Sequence, residues 1–195
     1  MSRIGIVVGS TRPGRRGRMV VEWVASVAAQ EHPAHEFEIV DLADFSLPLL
    51  DEPDPALFGR YGKEHTVRWA EAVARCDGFV FVTPEYNHSI SGALKNALDF
   101  LYAEWNNKAA GIVSYGLHGG TRAAEHLRLI LAELRVATVR TQVVLSLFDD
   151  FTRQVPTEPG AFTPGAHQAK TLAELLDDVI VWSQALRPVR ERVQA

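Results

Sequence analysis

The sequence predicts an α/β fold, a doubly wound sheet of five parallel strands with helices on both faces. Short apolar runs alternate along the chain with segments that carry apolar residues at helical spacing, which is typical of repeated strand–helix units. Loops that contain polar residues, glycine or proline follow these runs directly. Such loops are expected where parallel strands end. The chain has 195 residues, of which 47% are hydrophobic, so we expect one buried core and a single domain over residues 1–195.

Five apolar runs predict the strands, at residues 4–8, 37–41, 78–83, 110–114 and 141–145. The run 78–83 is apolar at almost every position, which is typical of a strand buried on both faces. Right-handed crossovers favour the strand order 2-1-3-4-5, in which the winding reverses between the first and third strands. The loops after those two strands are therefore expected to lie side by side.

Helices are predicted where apolar residues recur three and four positions apart. The spacing appears in four groups: Val20, Val24, Val27 and Ala28; Trp69 and Val73; Leu94, Ala97, Leu98 and Leu101; and Leu127, Ile130, Leu131 and Leu134. A fifth helix is expected over residues 171–186, ended by Pro188, because proline has no N–H to continue a helix. Two segments rich in proline and glycine, 43–62 and 148–165, are longer than ordinary connections. We expect the first to form a rim or a subunit contact and the second an excursion at the sheet edge.

The charge and cysteine content argue against several classes of protein. A net charge of −4 and a pI near 6.0 provide no field that attracts a polyanion, so we expect no nucleic-acid partner. Cys76 is the only cysteine, which excludes an intramolecular disulfide and favours a reducing compartment, so we expect a cytoplasmic protein. No run approaches the roughly 18 to 20 apolar residues that cross a bilayer, and we expect no membrane partner.

The loop at residues 9–17 has the composition of a phosphate site. Its glycines lead into a predicted helix, whose first N–H groups and dipole attract an anion. Ser10 and Thr11 supply hydroxyl donors, and Arg12 and Arg15 supply charge-assisted hydrogen bonds. The loop lacks the Gly-x-Gly-x-x-Gly pattern and the P-loop lysine, so a terminal monophosphate is favoured over a dinucleotide or a nucleoside triphosphate. The alternative is a solvated basic turn.

The loop after the third strand, Pro84-Glu85-Tyr86-Asn87, is suited to the edge of a flat ring. Proline removes one donor and stiffens the turn, so that the following amides point outward. Tyr86 offers an aromatic surface beside the ring, with ordinary half-buried packing as its alternative. Two interpretations stay open for Asn87 and Ser89, contact with the ligand and capping of the helix predicted over residues 90–101.

The loop after the fourth strand contains Ser114, Tyr115, Gly116 and, three residues further on, Gly119. Glycines let the backbone approach a ring closely because no Cβ intervenes. We expect Ser114, Tyr115 and Gly116 to flank the pyrimidine side of the ring, with His118 and Gly119 at its rim, and a plain tight turn is the alternative. The loops at 9–17 and 84–87 together describe one ligand with a charged tail and a planar head, which is the shape of flavin mononucleotide (FMN).

No side chain is assigned a catalytic role. Hydride transfer from a nicotinamide to a flavin depends on placement of the two rings rather than on a protein acid or base. A proton relay through His118 or Tyr86 to a quinone-like acceptor is the alternative. The histidines show no metal-ligand spacing with carboxylates, and there is no Gly-x-Ser-x-Gly elbow, so we expect neither a metal centre nor a serine hydrolase.

The chain resembles the NADPH-dependent FMN reductases, flavodoxin-like flavoproteins that include quinone, chromate and azo reductases. The resemblance rests on Gly-Ser-Thr-Arg-Pro-Gly-Arg at 9–15, Leu-Pro-Leu-Leu-Asp-Glu-Pro at 47–53, Pro-Glu-Tyr-Asn at 84–87, Leu-Lys-Asn-Ala-Leu-Asp at 94–99 and the phrase that begins Ser-Tyr-Gly at 114–123. It implies a flavodoxin-like fold and bound FMN, with Ser10, Arg12 and Arg15 at the phosphate. It also implies that residues 84–87 line the isoalloxazine and that residues 114–116, with Gly119, close its other side.

The resemblance further implies a homodimer or a dimer of dimers, with the flavin near the subunit boundary. Trp105 and the rim segment 43–62 are candidates for the subunit contact, with ordinary packing as their alternative. The family commonly has proline where this chain has Ser91, and often proline at Ala109. We expect Ser91 to alter how the following helix begins and to loosen the loop at 84–87, which we call the ring-side loop.

The leading functional hypothesis is an FMN-binding oxidoreductase with a ping-pong scheme. It takes hydride from NADPH or NADH and passes the electrons to free flavin, a quinone or another small-molecule acceptor. A flavodoxin-like electron carrier without direct NAD(P)H turnover is the alternative, although a net charge of −4 does not suggest the acidic docking face of a carrier. A scaffold that has lost its cofactor is disfavoured, because the cofactor loops retain their polar and glycine residues.

Overall fold

The computed structural model describes residues 1–152 and 160–194. Its five strands are β1 (Arg3–Val8), β2 (Glu36–Asp41), β3 (Gly78–Pro84), β4 (Ala109–Gly116) and β5 (Ala137–Ser146). They form one parallel sheet in the order β2-β1-β3-β4-β5, which confirms the predicted fold class and strand order. Because β1 pairs with β3, the loops that follow these two strands leave the sheet as neighbours.

Strand β5 begins at Ala137 rather than at residue 141. As an edge strand it pairs with β4 alone, and its buried residues are Val139, Val143 and Leu145. A register irregularity between Ala110 and Ile112 of β4 also shifts the pairing. The start of β5 therefore lacks the continuous apolar run from which the central strands were predicted.

The helices are α1 (Gly17–Glu31), α2 (Glu64–Ala74), α3 (Gly92–Asp99), α4 (Thr121–Glu133) and α5 (Ala166–Gln194). The rim segment 43–62 contains the 3-10 helix Ala56–Phe58 and most of another, Leu42–Phe45. Of the segment 148–165, residues 153–159 lie outside the described residues, while Phe151 and Phe162 on either side form an antiparallel bridge. In the described part of the chain, none of the helices has the length and apolar character needed to cross a bilayer.

The prediction that Pro188 ends the last helix is wrong, because α5 continues through it. Proline cannot donate to the carbonyl one turn earlier, but the turn that follows is held by tertiary contacts. The Arg190 guanidinium donates to the carbonyl oxygens of Ser183 and Asn107, both at 3.2 Å, and pairs with Asp77 at 2.9 Å. These bonds anchor the helix beyond the proline to the amino edge of the sheet, which no local pattern predicts.

The buried apolar residues form two clusters, one on each face of the sheet. Residues of α2, α3 and α4 cover one face, and residues of α1 and α5 cover the other. Trp105 is fully buried in the first cluster, where its ring centroid lies 5.0 Å from that of Phe79 and 5.8 Å from that of Trp69. Ordinary packing therefore accounts for Trp105. Leu57 and Phe58 are exposed, so the rim segment remains a candidate for a subunit contact.

Candidate functional site

The loops after β1, β3 and β4 enclose a cleft of about 450 Å³ at the carboxyl edge of the sheet. The predicted site residues that line it are Arg12, Pro84, Glu85, Tyr86, Tyr115 and Gly116. The cleft is completed by Pro13, Gly14, Arg16, Leu117 and Leu147. The remaining predicted residues, Ser10, Thr11, Arg15, Asn87, Ser114 and Gly119, are not among the residues that line it.

One end of the cleft is basic. Arg12 is exposed, and no group among residues 1–152 and 160–194 bonds its guanidinium. Gly14 has a φ of 66°, which suits the tight turn in which the Arg15 N–H donates to the Arg12 carbonyl at 3.1 Å. The turn leads into α1, and a helix start together with Arg12 suits an anion, so this end of the cleft is a candidate for the phosphate.

Arg15 has a different environment from Arg12. Its Nη2 lies 2.6 Å from Oδ2 of Asp41, a buried carboxylate at the end of β2. Arg18 approaches the same oxygen at 3.6 Å. Arg15 therefore ties the first loop to β2 in this structure, and its assignment to the phosphate stays a prediction.

Ser10 connects the first loop with the ring-side loop. Its Oγ shares a hydrogen bond of 2.9 Å with Tyr86 Oη and accepts the Arg12 N–H at 3.4 Å, and its side chain is buried. Thr11 is exposed and faces a neighbouring pocket of about 300 Å³, which Leu42 and Asn96 also line. Ser10 thus holds Tyr86 at the cleft wall, whereas Thr11 lies beside the cleft.

The ring-side loop makes a tight reversal. Tyr86 and Ser89 exchange two backbone hydrogen bonds, of 2.9 and 3.2 Å, around Asn87 and His88. Both central residues have positive φ, 49° for Asn87 and 75° for His88. Residues other than glycine rarely adopt this conformation, and such strained positions cluster at functional sites.

The cap of α3 is Ser91, not Asn87 or Ser89. Ser91 Oγ accepts the Leu94 N–H at 3.0 Å, as an N-cap side chain does, and donates to the Gly9 carbonyl at 2.6 Å. Ser89 Oγ instead shares a bond of 3.0 Å with His126 Nδ1. The Ser91 hydroxyl therefore fastens the ring-side loop to the first loop, and the expectation that Ser91 loosens it is wrong.

Replacing Ser91 by alanine is expected to lower the free energy of unfolding by about 1 kcal/mol, because the cap and its bond to Gly9 are lost. Because the two loops predicted to bind FMN lose a direct link, FMN binding should also weaken a few-fold. Thermal unfolding and FMN titration of the apoprotein measure the two effects. Ser91→Thr keeps a hydroxyl and should restore both; wild-type behaviour of Ser91→Ala would contradict the link.

The third loop, which follows β4, is held in shape by hydrogen bonds of Ser114. Ser114 Oγ donates to the Gly119 carbonyl at 2.7 Å and accepts from Gln142 Nε2 at 3.2 Å, and Ser114 is fully buried. Gly119 and Gly120 have φ of 69° and 71°, which side-chain-bearing residues seldom adopt. The Ser114 hydroxyl thus holds the glycine turn in place. In the same loop, Gly116 lines the cleft with its backbone.

Glu85 joins the second and third loops. Its Oε1 pairs with Arg122 Nη1 at 3.0 Å, and its Oε2 accepts the Arg122 N–H at 3.2 Å, at the first turn of α4. Its backbone N–H donates to the Tyr115 carbonyl at 3.0 Å. The negative charge of Glu85 is therefore neutralised, and the carboxylate acts as a clamp between the loops.

Sequence reasoning assigned no role to Arg122 and missed Leu147. Arg122 lies within the phrase at 114–123, but its role depends on Glu85, which is adjacent only in the folded chain. Leu147 follows β5, and its N–H donates to the Gly116 carbonyl at 3.0 Å, which places it on the cleft wall. An apolar residue after a strand is too common to have indicated this.

The residues present fit a flat ring that carries a phosphate-ended chain. The basic turn and the start of α1 provide donors for the phosphate, and the opposite wall presents backbone at Pro84 and Gly116 to a ring edge. The carboxylate that reaches this wall, Glu85, is paired with Arg122. The cleft thus combines a positive end with a largely neutral, partly apolar end.

A family model described as NADPH-dependent FMN reductase matches residues 2–150. An NAD(P)H-dependent FMN reductase of Schizosaccharomyces pombe is 38% identical over 192 residues, covering 97% of this chain and 93% of that protein. A protein of the same description from a Nectria species is 41% identical over 150 residues, covering 72% of this chain and 74% of that protein. Among solved structures, the flavoenzyme FerB of Paracoccus denitrificans, an NAD(P)H:acceptor oxidoreductase, is similar in fold with a TM-score of 0.72 at 21% identity, covering 95% of this chain and 98% of FerB.

Proposed function

Because this chain belongs to the NADPH-dependent FMN reductase family, we propose that the cleft between Arg12 and Leu147 is where it binds FMN and where NAD(P)H delivers hydride. Family membership makes the chain a flavin-dependent NAD(P)H oxidoreductase. The observation that carries the site assignment is the meeting, in one cleft, of a basic helix start and two loops suited to a ring. This is the position at which doubly wound sheets bind their ligands.

When bound, FMN supplies the ring that accepts a hydride and passes it on. The protein binds and orients that ring. Arg12 and the first N–H groups of α1 hold the phosphate by charge-assisted hydrogen bonds. The backbone at Pro84 and Gly116 borders the ring, and Glu85, clamped by Arg122, keeps the two loops at a fixed separation. This placement is what the reaction requires of the chain.

The purified protein is expected to bind FMN, turn yellow and lose its visible absorbance when NADPH is added without oxygen. A quinone or free FMN should then restore the absorbance. Anaerobic spectroscopy with NADPH and with NADH measures each half of the reaction. Protein that binds FMN and is reduced by neither nicotinamide would support the electron-carrier alternative, and protein that does not bind FMN would contradict the site.

The second substrate is proposed to be a small flat molecule, such as free flavin or a quinone. Two leucines that line the cleft support this: Leu117 is 60% exposed, and the partly buried Leu147 donates its N–H to the Gly116 carbonyl at 3.0 Å. Apolar side chains that line a polar cleft favour the face of a planar ring and discriminate little between rings. A panel of quinones and flavins of graded polarity would reveal the preference.

We further propose a single cytoplasmic domain that assembles as a homodimer or a dimer of dimers. The rim segment 43–62 supports a subunit contact, because its exposed leucines lie on backbone that is held in place. Asn96 Nδ2 donates to the Pro48 carbonyl at 2.6 Å, and Asn96 Oδ1 accepts the Leu50 N–H at 3.0 Å. Analytical ultracentrifugation measures the assembly, and the single cysteine supports the reducing compartment.

A further inference from the structure

The Tyr115 side chain is packed on one face of the sheet. It belongs to the cluster on the sheet face covered by α1 and α5, where its ring centroid lies 6.2 Å from that of Phe151. The residue is only 5% exposed. Packing on this face brings the phenol beside the start of α1.

The Tyr115 hydroxyl stands at the first residue of α1. A Cβ placed on Gly17 would lie 3.0 Å from Tyr115 Oη, so only glycine leaves the hydroxyl its present room. The Gly17 backbone acts to lower the pKa of this hydroxyl, which agrees with the closeness of the two groups.

Within the described ranges 1–152 and 160–194, the Tyr115 hydroxyl has no hydrogen bond to another side chain, and Tyr115 lines the cleft together with Arg12. Burial, with Tyr86 as a lesser cause, raises the pKa of the Tyr115 hydroxyl, so the group keeps its proton at neutral pH. Arg12 and Arg15 act on the same hydroxyl in the opposite direction, which places both guanidinium groups in its neighbourhood. A hydroxyl at the wall of a cleft with guanidinium groups nearby suits an anionic acceptor.

We propose that Tyr115 Oη donates a hydrogen bond to the phosphate of FMN, together with Arg12 and the first N–H groups of α1. This inference rests on the proposed function and reassigns the Tyr115 side chain from the pyrimidine side of the ring, where the sequence placed it. The Tyr115 backbone stays at the ring-side wall, since its carbonyl accepts the Glu85 N–H at 3.0 Å. Tyr115 thus bonds the phosphate through its side chain and the ring-side loop through its backbone.

The test compares FMN with riboflavin, which has the same ring and no phosphate. Tyr115→Phe is expected to weaken FMN binding by the apoprotein about tenfold, the scale of a hydrogen bond to a charged group. Riboflavin binding should be unchanged. Quenching of flavin fluorescence gives both dissociation constants, and Tyr102→Phe, a half-buried tyrosine outside the cleft, is the matched control.

A second variant makes the test independent of the first. Gly17→Ala forces a methyl group against Tyr115 Oη and should also weaken FMN selectively, and combining it with Tyr115→Phe should add less than the sum. Equal losses of FMN and riboflavin affinity, or an unchanged FMN affinity in Tyr115→Phe, would overturn the assignment. Wild-type protein that binds neither flavin would instead overturn the proposed function.

Discussion

Replacing Arg12 by alanine is expected to weaken FMN binding by about 1.5 to 3 kcal/mol, or about 10- to 150-fold. The Arg12 guanidinium has no bond to another described residue, and Arg12 lines the cleft. Arg15, by contrast, is paired with the buried Asp41 at 2.6 Å. The effect should therefore be larger for Arg12→Ala than for Arg15→Ala in flavin titrations of the apoprotein.

Arg140→Ala is the matched control for this comparison. Arg140 is exposed on β5 and does not line the cleft, so its removal should leave FMN affinity unchanged. The loss in Arg12→Ala should also shrink as salt is added, because an exposed guanidinium is screened. An FMN affinity equal to that of wild type would remove Arg12 from the phosphate site.

Replacing Gly120 by alanine is expected to lower the free energy of unfolding by about 2 to 4 kcal/mol and to abolish normal FMN binding. Gly120 has a φ of 71°, and a Cβ there would lie 2.8 Å from the nitrogen and 2.9 Å from the oxygen of Tyr115. Those neighbours are backbone atoms, so the strain cannot be relieved by rotating a side chain. The backbone of Tyr115 must move, and with it the wall of the cleft.

Gly92→Ala is the control for Gly120→Ala. Gly92 is the first residue of α3, and an added Cβ meets no atom within 4 Å. Alanine should be neutral or slightly stabilising there, because it favours the helix and reduces the entropy of the unfolded chain. Denaturant unfolding of both variants gives the comparison, and equal stabilities would mean that the glycine turn tolerates a side chain.

The strand order could be predicted because it depends on repetition. Each strand–helix unit carries its own period of apolar residues, and the right-handed crossover leaves few ways to assemble five of them. The predicted element boundaries that were wrong are those that depend on contacts with distant parts of the chain. Helix α5 passes Pro188 because Arg190 bonds Asp77, a residue 113 positions away.

The candidate site was predicted at the level of loops and less well at the level of side chains. Glycine, proline and arginine mark a loop by their backbone and charge properties, which are local. Where a side chain points depends on its neighbours: Ser10 turns to Tyr86, Arg15 to Asp41 and Ser114 to Gly119. Tyr86 belongs to another loop, Asp41 ends β2 and Gly119 lies further along the same loop as Ser114.

The sequence by itself determined a five-stranded α/β sheet, its winding, its family and the three loops that meet at one edge. Only the tertiary structure decided which neighbours the side chains of the loops contact, as Tyr115 and Ser91 illustrate. Tyr115 lies at α1 because of the packing on that face, and Ser91 reaches Gly9 because β1 and β3 are neighbours. Periodicity is a property of consecutive residues, whereas a hydrogen bond across loops exists only after the strands have been paired.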